Sequence, residues 1–85
     1  MRLLETSKFQ KLRKKLKEDE EREALREAVL HVLENPEAGK KLKGEFRDLR
    51  SLPYSVRGQA RRLIYKHGKD AVVLFSLGPR QGIYK

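Results

Sequence analysis

The first third of the chain spaces its apolar residues as amphipathic helices do. Between Ser7 and about Lys17, Phe9, Leu12 and Leu16 recur at helical intervals, which predicts a first helix. Ser7 and Gln10 have the spacing of a capping box, so we expect that helix to begin at Ser7.

A second helical stripe follows almost at once, from about Asp19 to Glu34. Its apolar face is formed by Leu25, Ala28, Val29, Val32 and Leu33. Acidic residues crowd its first turn, where the helix dipole favours them, and the segment "NPEAG" ends it. Because the connection at Glu18 and Asp19 is short, we expect the two helices to form an antiparallel hairpin.

The second half of the chain changes to the pattern of β-strands. It predicts strands over Glu45 to Leu52, Ala60 to Lys66 and Ala71 to Leu77, with a turn at His67 to Asp70 and a loop at "PYSVRGQA". The nearly continuous apolar run "AVVLFSL" indicates the strand most buried on both faces, and Arg2 to Leu4 can add a short edge strand.

These elements predict an α+β fold, in which an N-terminal helical hairpin packs on a small, mostly antiparallel sheet. The length of 85 residues leaves room for one domain spanning residues 1–85. The chain has no cysteine, no apolar run long enough to span a membrane and no signal-peptide pattern, so we expect a cytoplasmic protein with no membrane association.

The positive charge is concentrated in one half of the chain. Residues 1–38 hold equal numbers of acidic and basic residues, whereas residues 39–85 hold twelve Lys and Arg against three acidic residues, and therefore carry the whole net charge of +9. Such an imbalance favours a polyanionic partner: a nucleic acid, an acidic protein or an anionic membrane surface. A highly charged, solvated surface would have the same composition.

Most conventional catalytic sites are missing from the sequence. No Ser/His/Asp set or glycine-rich phosphate loop can be assembled, and His31 and His67 are the only histidines. We expect no metal, no cofactor and no small-molecule ligand. His31 has the position of a boundary residue beside the apolar face of the second helix, and His67 that of a solvated turn residue that keeps a minor chance as an acid or base.

Arginines at strand positions are the remaining chemical signal. Arg50, Arg61, Arg62 and Arg80 fall in or directly after three candidate strands, so their side chains can converge on one face of the sheet and bind phosphate there. Strand alternation puts Arg62 on the same face as Ile64, which indicates an arginine that is either paired or awaiting a ligand. Arg57 and Arg61 are more simply explained as solvated charges. Tyr84, four residues beyond Arg80, can anchor the terminus or stack on a base.

The order of "ENPEAGKKLKG", "RRLIY" and "VVLFSLGPR" followed by a tyrosine resembles the RelE/ParE superfamily of bacterial toxins. The resemblance covers almost the whole chain and is closer to the RelE branch, whose members cleave mRNA in the ribosomal A site. It implies a RelE-like toxin of a type II toxin–antitoxin system and a metal-independent endoribonuclease, in which the 2′-hydroxyl attacks the adjacent phosphate.

The resemblance also implies roles for individual residues. Arg62 and Arg80 would stabilise the transition state, Tyr84 would stack on an mRNA base, and Arg50 would take the place of the family's first catalytic lysine. The second lysine falls on Leu52, which is a departure, because leucine cannot act as a base. The implied RNA-binding residues are Lys40, Lys41, Lys43, Arg47, Arg57 and Arg61, with 16S ribosomal RNA and mRNA as partners.

Two other functions stay open on the sequence alone. The first is a ParE-like inhibitor of DNA gyrase without nuclease activity, and the second is a non-catalytic RNA-binding domain that uses the basic sheet face. The resemblance further implies a cognate antitoxin whose acidic segment folds across the toxin, beside the helical hairpin.

Overall fold

A computed structural model of the chain describes residues 1–79. Its elements are β1 (Arg2–Glu5), α1 (Ser7–Lys14), α2 (Asp19–Glu34), β2 (Lys40–Lys41), a 3-10 turn (Gly44–Phe46), β3 (Arg50–Val56), β4 (Gln59–His67) and β5 (Ala71–Pro79). The strands form one sheet of order β1-β5-β4-β3-β2, in which β1 runs parallel to β5 and every other pair is antiparallel. The predicted α+β fold, with a helical hairpin on a mostly antiparallel sheet and a short edge strand at the N-terminus, is confirmed.

The hydrophobic core lies between the two helices and one face of the sheet. Helix α1 packs against β5, and α2 packs against β3. The core is formed by Phe9, Leu25, Ala28, Val32, Leu52, Leu63, Tyr65, Val72, Leu74 and Leu77. The other face of the sheet, which we call the open face, carries the side chains that alternate with these core residues along each strand. None of the helices within residues 1–79 is long and apolar enough to cross a lipid bilayer.

Helix α1 begins at Ser7, as predicted, but its N-cap lies one residue before the predicted capping box. The hydroxyl of Thr6 accepts a hydrogen bond from the backbone N–H of Phe9 at 3.1 Å, and it donates one to the carbonyl of Phe75 at 3.1 Å. Thr6 is therefore the N-cap, and the predicted capping box of Ser7 and Gln10 is wrong. The physical reason is that Thr6 immediately follows β1, so its hydroxyl reaches both the first turn of the helix and the neighbouring strand.

The connection between the helices is closed by one arginine. Arg22 donates from Nε to the carbonyl of Leu16 at 3.0 Å and from Nη2 to the carbonyl of Lys17 at 2.8 Å. These carbonyls lie just beyond the C-terminal end of α1, where backbone acceptors lack partners within the helix. The side chain of Arg22 thus fixes the hairpin that the short connection predicted.

The β3–β4 hairpin differs most from the sequence prediction. The predicted strand over Glu45 to Leu52 begins only at Arg50, because a 3-10 turn occupies Gly44–Phe46. The predicted loop "PYSVRGQA" is instead most of a hairpin: its turn is Arg57 and Gly58, whose φ angles of 52° and 80° fit a two-residue turn between antiparallel strands. Pro53 is tolerated within β3 because the partner strand β2 pairs only with Arg50 and Ser51.

A β-bulge in β5 keeps the core side chains on one face. Ile64 pairs with Ser76, but Tyr65 pairs with Leu74, so Phe75 is the extra residue. Leu74 and Leu77, although three positions apart, consequently both face the core. Strand β4, not β5, is central in the sheet, and its consecutive residues Leu63, Ile64 and Tyr65 are all buried. In β5, Val73 and Phe75 are only half-buried.

Candidate functional site

The open face of the sheet is cationic. The register places Arg62 beside Pro53 and Gly78, and Ser51 beside Ile64 and Lys40. Lysines and arginines that the alternation puts on this face are Arg2, Lys40, Arg62 and Lys66. Within residues 1–79 the strands contribute one acidic side chain, Glu5, and it pairs with Leu74 on the core side. An anionic ligand approaching the open face therefore meets no strand carboxylate.

Arg62 is held in place on this face by a serine. Its Nη1 donates a hydrogen bond to Oγ of Ser51 at 3.0 Å, and Ser51 is only 1% exposed. Arg62 is half-buried and makes no ion pair with any residue among 1–79. The guanidinium keeps further donors, and its charge is not neutralised by a carboxylate. Such an arginine fits the bidentate binding of a phosphate.

Arg50 does not join Arg62, which corrects one expectation from the sequence. It pairs with Tyr65, a core residue, and therefore points to the helix side of the sheet. Its Nη1 donates to the carbonyls of Gly39 at 2.9 Å and Glu37 at 3.3 Å. The predicted convergence is wrong for Arg50 because the register pairs it with Tyr65, and Tyr65 and Arg62 lie on opposite faces of β4.

The same register explains the departure at Leu52. Leu52 pairs with Leu63 and is 5% exposed in the core, so the position cannot present a functional group to the open face. The β3 residues that do share the face of Arg62 are Ser51, Pro53 and Ser55. None of these three side chains is a lysine or a carboxylate, and no basic group of β3 lies next to Arg62.

Tyr65 and Arg50 together anchor the segment that follows α2. The phenol of Tyr65 donates to the carbonyl of Pro36 at 2.7 Å and accepts from the N–H of Gly39 at 2.8 Å. A side chain at Gly39 has no room, because a Cβ there would lie 2.7 Å from the phenol oxygen. Burial raises the pKa of Tyr65, while the Gly39 hydrogen bond and the charge of Arg50 oppose that rise. This anchor sets the position of β2.

Arg57 and Arg61 are neutralised by the start of α2. Arg57 contacts Glu18 at 2.6 Å and Glu20 at 2.7 Å, and Arg61 contacts Glu21 at 3.3 Å. The hydrogen bond and charge of Arg57 lower the pKa of Glu20, and the same carboxylates raise that of Arg57. Both arginines were candidates for RNA binding, but their charges already have partners within the chain, at the end of the hairpin away from β2.

The other candidates divide by position. Lys40 is exposed on the open face, and Lys41, Lys43 and Arg47 are exposed around β2 and the 3-10 turn. Arg80 and Tyr84 lie outside the described residues.

His31 is exposed, and His67, at the end of β4, is half-buried. Within residues 1–79, no three His, Asp or Glu side chains lie close enough together to hold a metal ion.

An apolar groove, which we call the helix groove, lies between α1, α2 and the β1 edge of the sheet. It has a volume of about 550 Å³. Its apolar lining includes Leu3, Phe9, Leu16, Leu25, Val29, Leu30, Leu33 and Leu74, and its basic rim is formed by Arg13, Lys14, Arg22 and Arg26. Leu3 and Leu30 are 42% and 46% exposed, so apolar surface is open to a partner.

The sequence of the chain matches a protein-family model. The model of the ParE-like toxin of type II bacterial toxin–antitoxin systems matches residues 3–85, which is nearly the whole chain. The chain belongs to this toxin family. A search among curated protein sequences finds no significant match for the toxin.

Solved structures of other proteins share the fold of the toxin. A chain of the intact E. coli RelBE toxin–antitoxin complex superimposes with a TM-score of 0.74 at 23% identity, covering 94% of the toxin and 96% of that chain. The isolated E. coli RelE toxin superimposes with a TM-score of 0.72 at 29% identity, covering 92% and 82%. HP0894 from Helicobacter pylori gives 0.54 at 23% identity, covering 94% of each chain. The toxin therefore has the RelE fold.

Ser51 is the residue of this site that the sequence did not reveal. Ser51 falls inside the predicted strand over Glu45 to Leu52, but without the pairing register nothing in the sequence places it on the face of Arg62. The pairing of Ser51 with Ile64, one residue beyond Leu63, supplies the missing register.

Proposed function

We propose that this toxin is a ribosome-dependent endoribonuclease that cleaves mRNA in the A site and thereby inhibits translation in the cytoplasm. The observation that supports this best is Arg62: a half-buried arginine without a carboxylate partner among residues 1–79, oriented by Ser51 on a cationic sheet face. The likeness to the isolated RelE toxin, at 29% identity, supports the same reading.

In the proposed reaction the RNA supplies its own nucleophile. The 2′-oxygen attacks the adjacent phosphorus, the bond to the 5′-oxygen breaks, and a cyclic phosphate and a 5′-hydroxyl result. The proton of the 2′-hydroxyl must be removed, and one must reach the leaving 5′-oxygen. Arg62 would stabilise the negative charge that grows on the phosphorane oxygens. Arg80 is proposed to share this role and Tyr84 to stack on a base.

The proton acceptor is not supplied by the β3 neighbours of Arg62. Ser51, Pro53 and Ser55 occupy that strand, and Arg50, on the other face, keeps its proton at any working pH. We therefore propose that the rate rests on charge stabilisation and alignment of the 2′-oxygen, with Arg50 acting as an anchor of the structure.

The test compares purified wild-type toxin with Arg62→Ala and Arg80→Ala on translating ribosomes, mapping 5′ ends by primer extension. We expect cuts inside the A-site codon that each variant loses while its unfolding midpoint stays close to that of the wild type. Arg57→Asn is the matched control, because it removes one arginine from an ion-paired site. Uncut message with wild-type toxin, or cleavage retained by Arg62→Ala, would refute the proposal.

A second candidate function is inhibition of DNA gyrase without nuclease activity. The observation that favours it is the absence of any lysine or carboxylate on the β3 positions facing Arg62. A supercoiling assay with purified gyrase separates the two functions. Loss of supercoiling together with uncut message would establish the gyrase reading.

We further propose that the helix groove binds the cognate antitoxin. The groove combines an apolar floor with a basic rim. An amphipathic, acidic antitoxin segment would bury its apolar side in such a groove and place its carboxylates at Lys14 and Arg26, since Arg13 is already paired with Glu5. The likeness to a chain of the E. coli RelBE toxin–antitoxin complex supports a partner of this kind.

A further inference from the structure

A small basic cleft lies at the end of the sheet remote from the ion-paired hairpin turn. It forms where β2, the start of β3 and the end of β4 meet the segment after the 3-10 turn, and it has a volume of about 190 Å³. We call it the sheet-end cleft. The side chains that define it chemically are Lys41, Arg47, Asp48, Arg50, Lys66 and His67.

The charges of this cleft are not balanced within the described chain. Four cations face one carboxylate, Asp48, and Lys41, Arg47 and Lys66 make no ion pair with any of residues 1–79. At the β3–β4 turn, the other end of the same sheet, the charges are balanced, because Arg57 and Arg61 are both paired with glutamates at the start of α2. Like charges confined to a concave site repel one another, and a bound anion relieves that repulsion.

One member of the cleft is already fixed. The guanidinium of Arg50 is held through Nη1 by the carbonyls of Glu37 and Gly39, so it needs little further ordering on binding. Arg47 and Lys66 are exposed and can close on a ligand from two sides. The imidazole of His67 adds a ring N–H donor. This set of donors suits the oxygens of a phosphate group.

We infer that the sheet-end cleft is a second phosphate-binding site, which holds a backbone phosphodiester of single-stranded RNA. Lys66 lies on the same face of β4 as Arg62, four residues farther along the strand, which corresponds to about 13 Å. One extended RNA strand running along β4 can reach both sites. The inference rests on the proposed RNA target and adds to it an anchor away from the scissile phosphate.

Binding is tested without cleavage, with a fluorescent single-stranded RNA whose 2′-hydroxyls are methylated, by anisotropy over a range of salt concentrations. Arg47→Ala and Lys66→Ala should each weaken binding equally for different sequences and reduce the slope of log K against log salt by about 0.7. Asp48→Asn should strengthen binding. Arg57→Asn is the control, because it removes the same single positive charge from outside the cleft. Its slope of log K against log salt should equal that of the wild type.

The outcomes separate this inference from the proposed function. If the cleft variants keep the wild-type affinity and slope, or if wild-type toxin does not bind the RNA, the cleft is not an RNA-binding site. Equal losses in the cleft variants and Arg57→Asn would show a response to net charge alone, and would also overturn it. The nuclease proposal is judged separately, by A-site cuts that depend on Arg62.

Discussion

The hydroxyl of Ser51 accepts a hydrogen bond from Arg62 at 3.0 Å, and it does so from a position that is almost fully buried. The serine thus fixes the direction of a strand arginine that faces the open side of the sheet without a carboxylate partner in the described chain. If Arg62 stabilises a transition state, Ser51 is a positioning residue for that reaction, acting through the guanidinium and not on the RNA.

Ser51→Ala should lower kcat for A-site cleavage by about five- to tenfold, because a hydrogen bond of about 1 kcal/mol that orients the guanidinium is lost. KM should change little, and the unfolding midpoint should stay near that of the wild type. Ser55→Ala, an exposed serine on the same face of β3, is the matched control, and Ser51→Thr should restore part of the rate.

A double variant distinguishes positioning from a general structural effect. Adding Ser51→Ala to Arg62→Ala should produce no further loss of rate, since the serine acts only through the arginine. Additive losses in the double variant would contradict this role.

Tyr65→Phe should destabilise the toxin by about 1–3 kcal/mol, because the N–H of Gly39 and the carbonyl of Pro36 both lose a buried partner. Urea unfolding measures the change. Tyr54→Phe is the control, since the Tyr54 hydroxyl makes no hydrogen bond with the described residues, and its effect should be much smaller.

The raised pKa of Tyr65 adds a pH dependence to the same comparison. The folded state favours the neutral phenol, so this contribution is complete below the unfolded pKa of about 10 and is lost as the pH rises through the higher folded value. Tyr65→Phe should lose less stability than the wild type on going to strongly alkaline pH. Parallel curves for the two proteins would disprove the assignment.

The Arg57 and Glu20 pair predicts a difference at acid pH. The pKa of Glu20 is lowered by Arg57, so its contribution is present above the ordinary value of 4.5 and is lost as the pH falls through the folded value. We choose Arg57→Asn because asparagine tolerates the positive φ angle at this turn position. The melting temperature of this variant should fall less than that of the wild type as the pH is lowered. An unchanged decline would mean that the pair contributes nothing measurable, as exposed ion pairs often do.

Leu30→Lys should abolish or strongly weaken antitoxin binding while A-site cleavage by the isolated toxin is retained. Leu30 is exposed and lines the helix groove, so a lysine there folds without strain but cannot be buried against an apolar segment. Leu4→Lys is the matched control: that leucine is 40% exposed and lies outside the groove. Equal loss of binding in both variants, measured by calorimetry, would exclude the groove.

The second helix and the face of the sheet on which Arg62 lies could be predicted from local pattern. Apolar spacing placed α2 at the residues it occupies, and alternation within "RRLIY" put Arg62 on the face opposite Leu63 and Tyr65. Both inferences depend only on periodicity inside one element. Neither requires knowledge of which residues lie across the sheet.

The errors have a common cause, which is that register and partners are long-range properties. The register of β3 against β4 places Arg50 on the helix side and Ser51 on the face of Arg62. Arg57 and its partner Glu20 are 37 positions apart, so no local sequence pattern indicates that the charge of Arg57 is neutralised.

The parallel pairing of β1 with β5 has a consequence for how the toxin is made. Arg2 pairs with Ala71, and the Thr6 cap bonds to Phe75, 69 positions away. During synthesis the N-terminal strand therefore cannot pair until β5, 69 positions later, has been made. Because non-local pairing of this kind is slow to form, the nascent toxin passes through a period in which its sheet is incomplete. Any activity that depends on the finished sheet then begins only after β5 has been synthesised and has paired with β1.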